Sequence, residues 1–143
     1  HSIAYELFHR DIIITPHPKE FVHILRTTQL ADISVEQLQD DRFYYTELFC
    51  ETYPNITLIL KGSNSIIAKS KTYFINPHGS SRLAKAGSGD VLSGICGALL
   101  AQGYSSLDAA VQASLAQTMS AQSINKNSYS LLAEDIIKGL SNL

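Results

Sequence analysis

The sequence predicts an α/β fold in which parallel strands and one hairpin lie between helices on both faces, and three observations predict it. Residues 11–15 (Asp-Ile-Ile-Ile-Thr) and 56–61 (Ile-Thr-Leu-Ile-Leu-Lys) are short apolar runs rich in β-branched side chains, as in strands buried on both faces. The residues between them carry helical patterns, so the connection reads as a right-handed parallel crossover. Finally, a glycine-rich segment at residues 85–89 runs directly into an apolar helical pattern.

Composition narrows the function. The chain has 143 residues with a formal net charge of −2, so no basic excess favours nucleic acid or an anionic membrane surface. No apolar run reaches the roughly 20 residues that span a bilayer. Cys50 and Cys96 fall in separate helical patterns with no zinc spacing, and read as buried, reduced thiols of a cytoplasmic protein.

Each element has a local reason. Residues 1–10 fit the end of a helix. The strand at 11–15 is stopped by Pro16-His17-Pro18, and residues 19–25 form a helix with Pro18 near its first position. Residues 27–33 read as a loop. Ser34 and Gln37 have capping-box spacing at the head of a single helix from Val35 to about Glu51. Leu38, Phe43, Tyr45, Leu48 and Phe49 make its core-facing set, and Asp40-Asp41-Arg42 a solvated face. Tyr53-Pro54-Asn55 ends this helix before the second strand.

Residues 65–69 and 72–76 form a hairpin around Ser70-Lys71. Residues 76–82 are a flexible, Gly/Ser-rich approach that would order around a ligand. In the next helix Val91, Leu92, Ile95, Leu99 and Gln102 follow helical spacing, and Gly103 stands at the C-terminal cap. Gly94 and Gly97 each cost roughly 1 kcal/mol inside a helix, which predicts close backbone packing there. A helix opens at Ser105-Ser106-Leu107-Asp108, and residues 109–124 are small and apolar all round, as in a buried helix. Residues 125–129 are a loop, and Ser130 caps an amphipathic final helix over 131–140.

Three loops carry chemistry. A helix start exposes unpaired N–H groups and the positive end of the macrodipole, and glycines there let an anion approach the backbone. Gly87, Ser88 and Gly89 are such a start, with Asp90 in the first turn. Asp90 alone reads first as a cap, and otherwise as a base beside the anion. Lys61-Gly62-Ser63-Asn64-Ser65 leaves the C-terminal end of a strand and suits phosphate or ribose oxygens. Its lysine is otherwise an ordinary edge residue. His17 leaves the C-terminal end of the other strand, where open α/β sheets place ligands; it reads equally as a turn residue between two prolines.

The order Thr15-Pro16-His17-Pro18-Lys19-Glu20, a strand ending in Lys61-Gly62, a hairpin, Asn76-Pro77, and residues 86–94 (Ala-Gly-Ser-Gly-Asp-Val-Leu-Ser-Gly) resembles one family over essentially the whole chain. That family is the ADP/ATP-dependent NAD(P)H-hydrate dehydratases, of the ribokinase-like superfamily. The resemblance implies a ribokinase-like three-layer fold, with residues 1–143 forming the C-terminal part of one domain. It implies phosphorylation of the hydroxyl of (S)-NAD(P)H hydrate followed by phosphate loss, which restores NADH or NADPH. Gly87, Ser88 and Gly89 would hold the transferring phosphate, Lys61, Gly62, Ser63, Asn64 and Ser65 the nucleotide. His17 and Asp90 would contact the substrate, and Asp90 would deprotonate its hydroxyl.

ADP or ATP is the implied co-substrate. Mg2+ would arrive with the nucleotide and has no dedicated ligand, Glu20 being the one candidate. A homo-oligomer and a fused or separate NAD(P)HX epimerase domain are the implied partners. Lys19 stands where the family more often has Gly, and Ser65 where it has Thr. Residues 78–83 depart from the family's Thr-Gly-Asn-x-Gly pattern, and members of the family are about twice as long. Two other functions share the features: a ribokinase-like small-molecule kinase for a vitamin precursor or sugar, and a catalytically silent nucleotide-binding module.

Overall fold

The structure, a computed structural model, describes residues 6–77 and 88–123. Its elements are β1 (Ile12–Ile14), α1 (Pro18–Thr27), α2 (Val35–Asp40), α3 (Arg42–Thr52), β2 (Ile56–Leu60), β3 (Ser65–Lys69), β4 (Thr72–Asn76), α4 (Ser88–Ala101) and α5 (Ser106–Ser123). The strands form one sheet in the order β1-β2-β3-β4. β1 and β2 are parallel, with Ile12 opposite Ile56, and α1, α2 and α3 make the crossover between them. β2, β3 and β4 are antiparallel neighbours, and the hairpin turns at Ser70 and Lys71 as predicted.

Strand alternation sorts the side chains into two cores. Ile56, Leu58, Leu60, Ile66 and Ala68 join Phe21, Leu25, Leu38 and Phe49 in one cluster. Ile59 and Ile67 point the other way and pack with Leu92, Cys96, Ala110 and Ala113. The sheet therefore has helices on both faces, the expected three layers, and all five β2 residues are buried. A strand wetted on neither face has no use for polar alternation, which is why β2 is nearly unbroken in hydrophobicity.

Helix ends follow their local chemistry. At α2, Ser34 Oγ accepts from Gln37 N–H at 3.1 Å and Gln37 Oε1 accepts from Ser34 N–H at 2.9 Å, the expected capping box. Gly103 has φ +95° and closes α4: its N–H donates to Leu100 O (3.0 Å), and Tyr104 N–H donates to Leu99 O (3.2 Å). The same bond pattern ends α1 around Gln29, where φ is +61° without a glycine to ease it.

Five expectations are corrected. The helix from Val35 is two helices, broken at Asp41 (φ −150°, ψ 53°), which no glycine or proline announces. Phe43 is 47% exposed rather than core-facing, and the Arg42 side chain is half-buried against backbone rather than solvated. A Cβ on Gly94 or Gly97 meets nothing within 4 Å, so these glycines lie on an open face and not in a close contact. Finally, α5 buries Ala109, Ala110 and Ala113 but exposes Leu115 (42%) and Met119 (54%), so it is covered on one side only. The final helix at 131–140, the loop at 125–129 and the approach at 78–87 lie outside the described residues.

Both cysteines are buried free thiols, as expected. Burial pushes the Cys50 thiol up to about 12 and raises Cys96 in the same direction.

Candidate active site

Parallel pairing of β1 and β2 brings their C-terminal ends side by side. One bond continues the pairing beyond both strands: Lys61 N–H donates to Pro16 O at 3.0 Å. The loop carrying His17 and the loop carrying Lys61 therefore leave the sheet tied together.

The third loop meets them at α4. A Cβ built on Gly89 would lie 3.2 Å from Lys61 Nζ, inside the distance most Cβ contacts keep. The lysine ammonium thus rests against the first turn of α4, in a space that a Cβ would narrow. Asp90 is the next residue, exposed and within the first turn. A cation beside the positive end of a helix dipole is unfavourable unless an anion is shared between them. No carboxylate among the described residues pairs with Lys61. The arrangement is a cationic cradle with a carboxylate at its rim, suited to a phosphoryl group and a hydroxyl.

His17 is the N-cap of α1. Its Nδ1 accepts from Glu20 N–H at 3.2 Å, and Glu20 Oε1 accepts from His17 N–H at 2.9 Å. His17 Nε2 lies 3.2 Å from Glu20 Oε1, with both side chains about half exposed. The imidazole therefore has a structural task, and its position beside Pro16 also puts it next to the Lys61 loop. Glu20 is engaged by this cap. Among the described residues no group of three or more His, Cys, Asp or Glu is placed to hold a metal ion.

Within the Lys61 loop the predicted binding residues divide. Gly62, Ser63 and Asn64 are exposed, while Ser65 Oγ donates to Gly62 O at 3.4 Å and is turned into the loop. Gly87 lies outside the described residues, as does the side chain of Ser88. Sequence reasoning missed Arg42. Its Nη1 donates to Asn64 O (2.7 Å), and its Nη2 to Leu60 O (3.3 Å) and Lys61 O (3.5 Å). A run of two aspartates and an arginine gives no local signal of this. Asn76, at the end of β4, was noted only as part of a motif. It is buried on α5, its Nδ2 donating to Ser114 Oγ and Thr118 Oγ1, each at 3.0 Å.

A three-layer α/β fold with strand-end loops beside a glycine-opened helix is an arrangement that can receive a phosphate. A sequence profile of the NAD(P)H-hydrate dehydratases matches residues 2–142, and the chain belongs to that family. It is 41% identical over 143 residues to the bifunctional NAD(P)H-hydrate repair enzyme Nnr of Helicobacter pylori, covering 100% of this chain and 30% of that protein. It is 40% identical over 102 residues to the ADP-dependent (S)-NAD(P)H-hydrate dehydratase of Neisseria meningitidis, covering 71% of this chain and 32% of that one. The Bacillus subtilis ADP/ATP-dependent NAD(P)H-hydrate dehydratase, co-crystallised with ATP/Mg2+, superposes with a TM-score of 0.75 at 26% identity. That match covers 91% of this chain and 46% of the Bacillus protein. The chain thus spans about a third of the length of the curated relatives it matches and nearly half of the solved one.

Proposed function

We propose that this chain is the C-terminal part of a ribokinase-like domain that performs ADP- or ATP-dependent dehydration of (S)-NAD(P)H hydrate. The observation that carries the reading is the Lys61 ammonium held against Gly89 at the start of α4, one residue before Asp90. The family supplies the substrate; the geometry supports the chemistry.

Lys61 and the N–H groups that open α4 attract the phosphoryl group leaving the nucleotide and stabilise its spreading charge. Asp90 accepts the proton of the substrate hydroxyl as its oxygen bonds to phosphorus and the bond to the nucleotide breaks. Phosphate then departs with the carbon–oxygen bond electrons, and the neighbouring ring carbon gives up a proton to solvent as its carbon–hydrogen electrons form the double bond. His17, on the adjoining loop, contacts the hydrated nicotinamide, and the Lys61–Ser65 loop holds the nucleotide. Magnesium bound to the phosphates would add charge neutralisation at the same oxygens.

The relatives named as bifunctional support an accompanying epimerase domain. Two buried, reduced thiols accord with a cytoplasmic setting. Self-association into a homo-oligomer belongs to the same reading and is read by sedimentation. The test of function is incubation of the natural-length protein with NADHX and ADP, following the return of NADH absorbance. Accumulation of a stable phosphorylated product without dehydration would identify a kinase instead. Unchanged turnover in Asp90→Asn with nucleotide still bound would leave only a silent binding module.

A further inference from the structure

We propose that Arg42 is a positioning residue for the nucleotide: its guanidinium folds the 60–64 backbone into the shape that delivers the Lys61 ammonium to α4. This rests on the nucleotide reading of the loop given above.

The contacts are all directed at one target. Arg42 lies 18 to 22 residues from its three acceptors, Leu60 O, Lys61 O and Asn64 O, so it bridges the crossover helix to the end of β2 and the loop beyond. The carbonyls of Leu60 and Lys61, before Gly62, and that of Asn64, after it, lie on both sides of the turn, and the planar fork of arginine spans them. Gly62 is shaped by the same group. A Cβ there would stand 3.0 Å from Nη2 and 3.4 Å from Cζ, so the guanidinium occupies the space a side chain would need.

The electrostatics point the same way. Burial lowers the Arg42 pKa from its ordinary value, and no carboxylate among the described residues forms an ion pair with it. Its Nε is buried without a hydrogen-bond partner. A half-buried cation left without a counter-ion is poor design for stability alone. Beneath a loop that receives phosphates it does two things: it fixes the backbone through charge-assisted bonds and adds positive potential under the site. The break at Asp41 between α2 and α3 is the local feature that places Arg42 at the head of a new helix, facing this loop.

The experiment uses the natural-length protein and ADP alone as the titrated ligand, with steady-state kinetics beside it. Arg42→Lys and Arg42→Gln are expected to weaken ADP binding and raise the nucleotide KM about tenfold, the scale of one charge-assisted contact. The kcat at saturating nucleotide falls by no more than about threefold, less than the change in KM, because Lys61 and Asp90 are retained and only the firmness with which the ammonium is held changes. In Arg42→Ala, added guanidinium ion restores ADP binding and urea does not. Gly62→Ala reproduces the loss, and Gly62→Ala combined with Arg42→Lys is no worse than either alone. Folded Arg42→Lys and Arg42→Gln proteins that bind ADP as tightly as the parent overturn the positioning role and leave the nucleotide reading standing. A parent protein that binds no ADP overturns both. Should Arg42→Ala not fold, the lysine and glutamine variants and the Gly62→Ala comparison decide the matter.

Discussion

Replacing Gly89 by alanine separates the needs of the fold from those of the site. Gly89 does not lie in the left-handed region, so alanine meets no backbone strain, and within a helix it is favoured by roughly 0.5–1 kcal/mol. Gly89→Ala is therefore expected to be neutral or slightly stabilising in urea unfolding. The added methyl, however, would lie 3.2 Å from Lys61 Nζ and must push the ammonium back by a few tenths of an ångström. At an effective dielectric of about 20, drawing an ammonium from about 3.0 to about 3.4 Å from a phosphoryl oxygen loses about 0.7 kcal/mol, or about threefold in rate. An equal retreat of the phosphate from the blocked helix start brings the loss to about tenfold. The assay is kcat/KM for NADHX dehydration with ADP, measured beside the urea midpoint. A variant with kcat/KM at or above the parent's would refute the assignment of this space to a phosphoryl group.

Asp90→Asn keeps the fold and is expected to lower kcat by a factor of about 10² or more, the usual worth of a positioned base, read by the same absorbance assay. Asn76→Ala removes the buried donor to Ser114 and Thr118 and is expected to cost about 1–3 kcal/mol in urea unfolding. The Asp11 carboxylate accepts from Ser106 Oγ and from Lys69 Nζ, and these bonds, Ser106 first, lower its pKa below 3.8. A depressed folded-state value means that this stabilisation is complete above pH 3.8 and is lost as pH falls through the lower folded value. Asp11→Asn should accordingly flatten the acid limb of stability measured by circular dichroism. Gln29→Gly relieves a positive φ and is expected to stabilise by about 0.5–1 kcal/mol in thermal melts.

Where local chemistry decides the structure, the sequence was readable. Three isoleucines before Pro16, the run from Ile56 to Leu60, and the serine–lysine turn of the hairpin each have one physical solution, and each is observed. The pairing of the His17 and Lys61 loops followed from strand direction, since parallel neighbours present their C-terminal ends together. What stayed hidden depends on neighbours remote in sequence. Asp41 breaks a helix with no breaker residue, so neither the exposure of Phe43 nor the reach of Arg42 to Leu60 could be read from period. Gly94 and Gly97 were over-read: a helical glycine signals close packing only when something stands opposite, and among the described residues nothing does. The burial of Asn76 depends on Ser114 and Thr118, some forty residues on.

The bond from Lys61 N–H to Pro16 O has a thermodynamic consequence for any ligand. It extends the sheet's pairing into two loops that would otherwise each have conformational freedom of their own. That freedom is surrendered when the chain folds, not when a nucleotide arrives. Fixing the backbone of a single residue costs roughly 1–2 kcal/mol, so loops ordered beforehand leave more of each contact available as affinity. Under the proposed function, two adjacent strands would thus act as a preset gauge, holding the spacing between the substrate side and the nucleotide side before either molecule binds.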